Sequence, residues 1–452
     1  MSAEPPVSLW PDPHALGPLT DLYQLTMMAA YHAAGRAEDR AVFEMFVRRL
    51  PRNRAYLVFA GLEQAIGDLL RLRFSPEQIA AIKRLPVFAK TDPTFFEGLY
   101  SLKFEGDVWA VPEGTVVFAG EPLLRVHASL AQAQWVETFL LTSIGYPTLV
   151  ASKAARIIQA AAGRPVFDFG LRRGHGGHAG MLAARSAYLA GCVGTSNVDA
   201  AIRLKIPCNG TMAHSWVQSF DTEGEAFSTF ARIFPDNSTL LVDTYDSTKG
   251  VEHAAAIAPP VNAIRIDSGN LLEEAIQARK ILDGLGRTEV KIVGSGDLDE
   301  TAITALVSGG APYDSFGVGT ELITSRDAPA LGIVYKLVEL NGSGRIKLSP
   351  GKKTYPLAKQ IHRQWDASGT RFVRDLVTQA DEIAEGEPLL IPVVAGGKLA
   401  SPLPELTSIR ERCSRQLAAL PDSLRRLDAR PDFPLVYSDF LEVEASRLGV
   451  KE

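Results

Sequence analysis

Between residues 239 and 320 the chain repeats one pattern: a short run of aliphatic residues, a polar or glycine-rich break, then a longer stretch of helical character. In Asn262-Ala-Ile-Arg-Ile-Asp-Ser-Gly-Asn270, Ile264 and Ile266 alternate with Arg265, which predicts a short buried strand. Asp267 to Asn270 supply turn and helix-cap residues. Leu271 to Leu285 then reads as a helix closed by Gly284 and Gly286. Thr239 to Asp246 predicts a strand ending in two carboxylates, and Val290 to Asp297 and Asp314 to Thr320 predict strands ending in glycine-rich turns. Helices over Lys249–Ile257, Leu271–Leu285 and Leu298–Val307 separate them. Upstream, Pro165–Gly170, Gly191–Thr195 and Pro207–His214 add three strands, with helices over Gly177–Ala190 and Asn197–Leu204. Consecutive strand-loop-helix units require a parallel barrel or a doubly wound sheet. Seven strands fall one short of a regular barrel, so the expectation is an irregular, about seven-stranded α/β barrel.

The flanks carry a different pattern. Met1 to Gly17 reads as a mobile tail, and Thr20 or Asp21 as the cap of a helix running through Tyr31. Ala41–Val47 alternates as a strand, Asn53–Leu70 leads from a loop into a helix, and Pro76–Phe104 is irregularly helical. Val108–Phe118 and Pro122–Val126 predict short strands of a small sheet outside the barrel, followed by helices over Leu130–Leu141 and Thr148–Ala162. Past Glu321, Gly332–Glu339 reads as a strand leaving the barrel, Ile346–Pro356 as a basic loop, and the tail from Asp381 as strands with a charged helix near Ser408–Leu420. The expected layout is a mixed α+β N-terminal domain over residues 1–150, an α/β barrel carrying the active site over 151–335, and a C-terminal extension over 336–452 packing on the N-terminal domain.

Composition narrows the class. The 452 residues are 46% hydrophobic and 22% charged, as in globular domains. A net charge of −5 without a long basic run argues against nucleic acid as the main partner. The three cysteines, Cys192, Cys208 and Cys413, form no C-x-x-C pair, and so sparse a count fits reduced thiols in a cytosol. Met1–Leu16 lacks the apolar core of a signal peptide, and no run of 18 apolar residues occurs, so the expectation is a cytoplasmic protein with no membrane association.

Candidate chemistry collects at the strand ends. Gly294-Ser295-Gly296 and Gly317-Val-Gly319-Thr320 end the last two barrel strands, where exposed backbone N–H groups suit a phosphate monoester. Arg172, Arg173, Arg265 and Lys336 concentrate positive charge in a net acidic chain and favour an anionic ligand, a carboxylate or a pyrophosphate. Asp267, facing the same cavity, suits ribose hydroxyls, a magnesium ion or developing positive charge on a sugar carbon. His214 ends the third strand, with Thr211 before it and Ser215 after. His175 and His178 have H-x-x-H spacing but no third ligand, so no side chain is assigned to a metal. Tyr23 lies on the first turns of the N-terminal helix and on its own reads as a half-buried aromatic.

Taken together these residues resemble the nicotinate phosphoribosyltransferase family. The resemblance is carried by Leu19-Thr-Asp-Leu-Tyr-Gln24, Glu113-Gly-Thr115 with Glu121-Pro-Leu-Leu124, Phe169-Gly-Leu-Arg-Arg173, Gly194-Thr-Ser-Asn197 and Gly210-Thr-Met-Ala-His214. Leu241-Val-Asp-Thr-Tyr-Asp246, Ile264-Arg-Ile-Asp-Ser-Gly269, Gly317-Val-Gly-Thr320 and Val334-Tyr-Lys336 complete it, so the match runs from Leu19 to about His362. It implies a type II phosphoribosyltransferase fold and a homodimer with shared sites. It implies conversion of nicotinate, phosphoribosyl pyrophosphate and ATP to nicotinate mononucleotide, pyrophosphate, ADP and phosphate, with Mg2+. By position, Tyr23 stacks on the pyridine ring from the partner subunit, and Phe169, Arg172, Thr211 and Arg265 contact nicotinate. Thr320, with the glycines around it, contacts the phosphoribosyl group, and His214 is the residue ATP phosphorylates. The nicotinamide enzyme, a relative, commonly has an acidic residue where Ser196 stands, and a carboxylate there would repel nicotinate. A phosphosugar aldolase or isomerase barrel would want a Schiff-base lysine or a Glu/His base at a strand end, and none is well placed. A non-catalytic binding protein leaves Asp267, Arg265 and His214 without a purpose.

Overall fold

The computed structural model describes residues 11–258, 261–349 and 354–449. The chain divides into two units, one formed by Met1–Thr148 with Ala330–Glu452, the other by Leu149–Pro329.

In the second unit six of the seven expected strands form one parallel sheet, curled into a half-barrel. Its order is Gly194–Thr195, Val166–Asp168, Ser315–Val318, Lys291–Gly294, Ala263–Ile266, Thr239–Leu241. Arg265 is in register with Val293 on one side and Leu241 on the other. The strands are two to four residues long and largely buried, so they read as apolar runs rather than as alternation. The remaining expected strand, Pro207–His214, reduces to a single parallel bridge between Thr195 and Cys208. Asn209, Gly210 and Thr211 offer no β-branched aliphatic run to extend it, and His214 instead begins the short helix His214–Gln218. Among the described residues no backbone pairing closes the sheet between this segment and Thr239–Leu241. Three of the helices between strands start on side-chain caps: Asn197, Asp246 and Asp299 each accept from a backbone N–H three residues on.

The first unit is built on a seven-stranded antiparallel sheet ordered Ser343–Gly344, Ile333–Leu340, Arg40–Val47, Pro122–Ser129, Asp107–Ala110, Ile391–Ala395, Lys398–Leu399. Ile333–Leu340 does leave the parallel sheet, and pairs with Arg40–Val47. Lys359–Trp365 and Phe372–Gln379 form the centre of a separate four-stranded sheet. A large apolar core runs from Leu25 through Met45, Phe59, Trp135 and Tyr335 to Leu441. The helices expected over Leu130–Leu141 and Thr148–Ala162 are partitioned differently, as Leu130–Trp135 and one helix Glu137–Ala160 that continues through Pro147. Gly61 makes room there: a Cβ on it would meet the Ser143 carbonyl and lie 3.0 Å from the Pro147 ring. Residues 1–10, where most of the expected tail falls, lie outside the described residues, as do 350–353 of the expected basic loop. The rest of that tail is tied down: Ala15 and Leu16 are buried, and Trp135 Nε1 donates to the Gly17 carbonyl at 3.0 Å. Among the described residues no helix is long and apolar enough to cross a membrane.

Candidate active site

The C-terminal ends of the parallel strands bring four of the expected residues into two linked contacts. Arg265 is the third residue of Ala263–Ile266, and its Nη1 donates to Thr211 Oγ1 at 2.6 Å. Because Thr211 follows the bridge at one edge of the sheet and Arg265 lies next to the other edge strand, this bond spans the opening that backbone pairing leaves. Burial pushes the guanidinium below its ordinary value, the carboxylates of Asp267 and Asp243 push it back up, and neighbouring Arg172 pushes it down. Its Nε is buried and has no hydrogen-bond partner among the described residues.

Asp267 stands one residue beyond the same strand. Ser295 Oγ donates to its Oδ1 at 2.5 Å, and its own N–H donates to Asp243 Oδ2 at 2.8 Å. Ser268 Oγ donates to the same Asp243 oxygen at 2.7 Å. The other oxygen, Asp243 Oδ1, is buried and has no hydrogen-bond partner among the described residues. Asp243 is thus central to the site. In sequence it showed only as one of two carboxylates ending a strand, because the group it holds is a backbone N–H on the neighbouring strand.

His214 Nδ1 lies 3.1 Å from Thr244 Oγ1, so the segment carrying Thr211 and His214 is fixed to two adjacent strand ends. Phe169 accepts no such polar tie. Its N–H donates to the Val318 carbonyl at 2.8 Å, and its ring lies over Gly317, where a Cβ would collide with it. Phe169 and Thr211 line one cavity of about 360 Å3 that runs past Phe167 to Thr239, Ala263, Lys291 and Ser315 at the N-terminal ends of the strands, and its lining does not include Arg265 or Asp267. Arg172, in the turn Leu171–Arg173, is exposed and bonds the Phe169 carbonyl at 3.3 Å. Arg173 and His175 are exposed on the same loop, and His178 is exposed at the start of the helix Gly177–Leu189 that follows. Among the described residues no group of three or more His, Cys, Asp or Glu side chains is placed to hold a metal.

The glycines have structural tasks. Gly294 and Gly317 lie inside strands and leave space for the rings of Tyr313 and Phe169. Gly296, at φ +90°, turns the loop so tightly that a Cβ would overlap the Asp267 carbonyl. Gly319 precedes the short helix Thr320–Ile323, whose first residue is Thr320. Ser196 N–H donates to the Asp168 carbonyl at 2.8 Å, and the Asp168 side chain accepts from Thr195 Oγ1 at 2.7 Å and from Gly170 N–H at 2.9 Å. Burial raises the Asp168 carboxyl, and those two donors hold it back. Tyr23 and Lys336 belong to the first unit. Tyr23 is half exposed on the helix Leu22–Ala33, its phenol pushed up to about 12 by burial and then by Glu137. Lys336 Nζ donates to the Tyr335 carbonyl at 2.9 Å.

Comparison with known proteins identifies the family. The nicotinate phosphoribosyltransferase (NAPRTase) N-terminal domain model matches residues 19–145, the NAPRTase family model 165–377 and the C-terminal domain model 383–441. A nicotinate phosphoribosyltransferase of Mycobacterium tuberculosis is 44% identical over 437 residues, covering 95% of this chain and 93% of its own. The chain belongs to the nicotinate phosphoribosyltransferase family. A Bacillus subtilis nicotinate phosphoribosyltransferase is 39% identical over 376 residues, covering 80% of this chain and 76% of its own. The crystal structure of human nicotinic acid phosphoribosyltransferase superposes with a TM-score of 0.85 at 30% identity, covering 95% of this chain and 99% of that one.

Proposed function

We propose that this protein joins nicotinate to the phosphoribosyl group of phosphoribosyl pyrophosphate, releasing pyrophosphate and forming nicotinate mononucleotide for NAD salvage. The observation that carries the reading is Arg265: a buried guanidinium anchored by Thr211, with Nε unpartnered among the described residues and aromatic Phe169 lining the same cavity as Thr211. A carboxylate on a flat ring answers both needs. The bond from the sugar carbon to pyrophosphate breaks, pyrophosphate leaves with the bonding pair, and the ring nitrogen then bonds to that carbon. Asp267, oriented by Ser295 and tied to Asp243, stabilises the cationic sugar between the two events. The loops that begin at Gly294 and Gly319, with Ser295, Gly296 and Thr320, take the donor phosphates. Mg2+ enters with phosphoribosyl pyrophosphate and ATP, and Asp243, whose Oδ1 is a buried oxygen donor, would hold it together with substrate oxygens. That ion supplies charge neutralisation for the pyrophosphate.

ATP is used in a separate step. His214 Nδ1 is engaged with Thr244, which leaves Nε2 to attack the γ-phosphorus. The bond to ADP breaks, phosphohistidine forms, and water later cleaves it to phosphate. We place the protein in the cytoplasm as a homodimer, with Tyr23 of one copy, half exposed on its helix, stacking on the nicotinate of the other. The assay is direct: purified protein with phosphoribosyl pyrophosphate, Mg2+ and either nicotinate or nicotinamide, with and without ATP. Mononucleotide from nicotinate, stimulated by ATP, is expected. His214→Ala loses ATP hydrolysis and the stimulation while retaining slow synthesis. Undiminished ATP turnover in that variant removes His214 from the step, and a preference for nicotinamide overturns the substrate.

A further inference from the structure

Lys153 lies on the helix Glu137–Ala160 with its side chain 1% exposed, and nothing in the chemistry above uses it. Its ammonium is 2.5 Å from Glu300 Oε2 and 3.0 Å from Asp327 Oδ1. Arg156, one turn along, donates from Nε to Glu300 Oε1 at 3.0 Å. Burial alone would push Glu300 up, but Lys153, and after it Arg156, hold its carboxyl below the usual range. Two cations and two carboxylates therefore form a charge-balanced, mostly buried cluster. Stability is a poor reason for such a cluster, since apolar side chains of similar volume often do as well.

What the cluster connects supplies a better one. Glu300 is the first residue of the helix Glu300–Ser308, directly after the loop through Ser295 and Gly296. Asp327 follows the helix Thr320–Ile323, which leaves the next strand, Ser315–Val318. These two strands are hydrogen-bonded neighbours, so the lysine bridges adjacent strand-end loops. Both loops contain a non-glycine residue in the left-handed region, Asp297 at φ +44° and Ser325 at φ +41°. Such conformations persist where the surroundings over-determine them.

We propose that Lys153 is a positioning residue for the phosphoribosyl donor: one buried ammonium clamps the two loops together and fixes the spacing of the groups that receive its phosphates. The inference rests on the placement of the donor given under Proposed function. Lys153→Met cuts both arms, Asp327→Asn cuts one and leaves Glu300 paired, and Lys153→Arg keeps the charge. The measurements are KM for each substrate, donor affinity by calorimetry with phosphoribosyl pyrophosphate, and melting temperature. Expected is a rise in donor KM and Kd on the order of tenfold or more in Lys153→Met, smaller in Asp327→Asn, with nicotinate KM within about twofold and partial recovery in Lys153→Arg. A folded Asp327→Asn protein with unchanged donor affinity overturns the inference, and so does an equal rise in both KM values, which marks a structural role. Wild-type protein that binds no phosphoribosyl pyrophosphate overturns the placement of the donor, and this inference with it.

Discussion

Arg265 is held by Thr211 at one nitrogen and left with donors to spare at the others, as a carboxylate reader needs. A charge-assisted hydrogen bond contributes about 1.5–3 kcal/mol, or roughly 10- to 150-fold in affinity. Arg265→Ala is therefore expected to raise the nicotinate KM by about that factor and the donor KM much less, in steady-state kinetics with each substrate varied. Equal losses would show that Arg265 does not read the acid. Asp267 was legible in sequence because it stands where an apolar run gives way to polar residues, Arg265 because it interrupts that run, and Thr211 and His214 through the family resemblance of Gly210–His214. Asp243 was half legible, since its position showed and its bond to the Asp267 N–H did not. Lys153 was not legible at all. A lysine within a helical run reads as a solvated charge, and only the packing of three distant segments shows it buried.

At the level of elements, apolar runs bounded by turn residues gave the parallel strands, while the caps Asp246 and Asp299 showed only in the structure. The run at Pro207–His214 misled because glycine and polar residues pair too weakly to extend a single bridge. The glycines at strand ends have a packing role that the sequence does not show. A sequence shows that a glycine is present, not which neighbour fills the space where its side chain would be. Gly317 gives its space to the Phe169 ring. Gly317→Ala is expected to displace that ring and raise the nicotinate KM several-fold, while overpacking lowers stability by about 1–3 kcal/mol. Crystallography of the variant together with nicotinate kinetics checks both, and an unmoved ring with unchanged KM would exclude the aromatic wall from binding.

Across the whole molecule the most heavily buried charges lie far in sequence from the strand-end chemistry. In the first unit Arg363 donates to both oxygens of Asp375, at 3.0 Å and 2.6 Å, and Glu121 lies 3.9 Å from the same guanidinium. One arginine cannot balance two buried carboxylates. Burial first, and the charge of Asp375 second, push the Glu121 carboxyl well above its ordinary range, which favours its neutral form. A carboxyl raised in the folded state contributes most below its unfolded value of about 4.3, and its contribution is lost as pH rises toward the folded value. Glu121→Gln mimics the protonated form. The stability difference between Glu121→Gln and wild type should move in favour of the variant from pH 5 to pH 8, measured by urea denaturation at each pH. A difference independent of pH would show that Glu121 ionises freely.

The pairing of Arg40–Val47 with Ile333–Leu340 has a consequence for how the protein is made. The residues of the second unit are translated between these two strands, so the first strand leaves the ribosome long before its neighbour exists. At about 5–20 residues per second the delay is on the order of tens of seconds. Through that interval the edge of Arg40–Val47 that Ile333–Leu340 will cover stays open, although Pro122–Ser129 can already pair on the other side. The parallel sheet waits almost as long, because Val166–Asp168 pairs with Ser315–Val318, which is made shortly before Ile333. Both sheets thus stay open at one strand through most of synthesis, and both close within the last stretch that ends at Leu340.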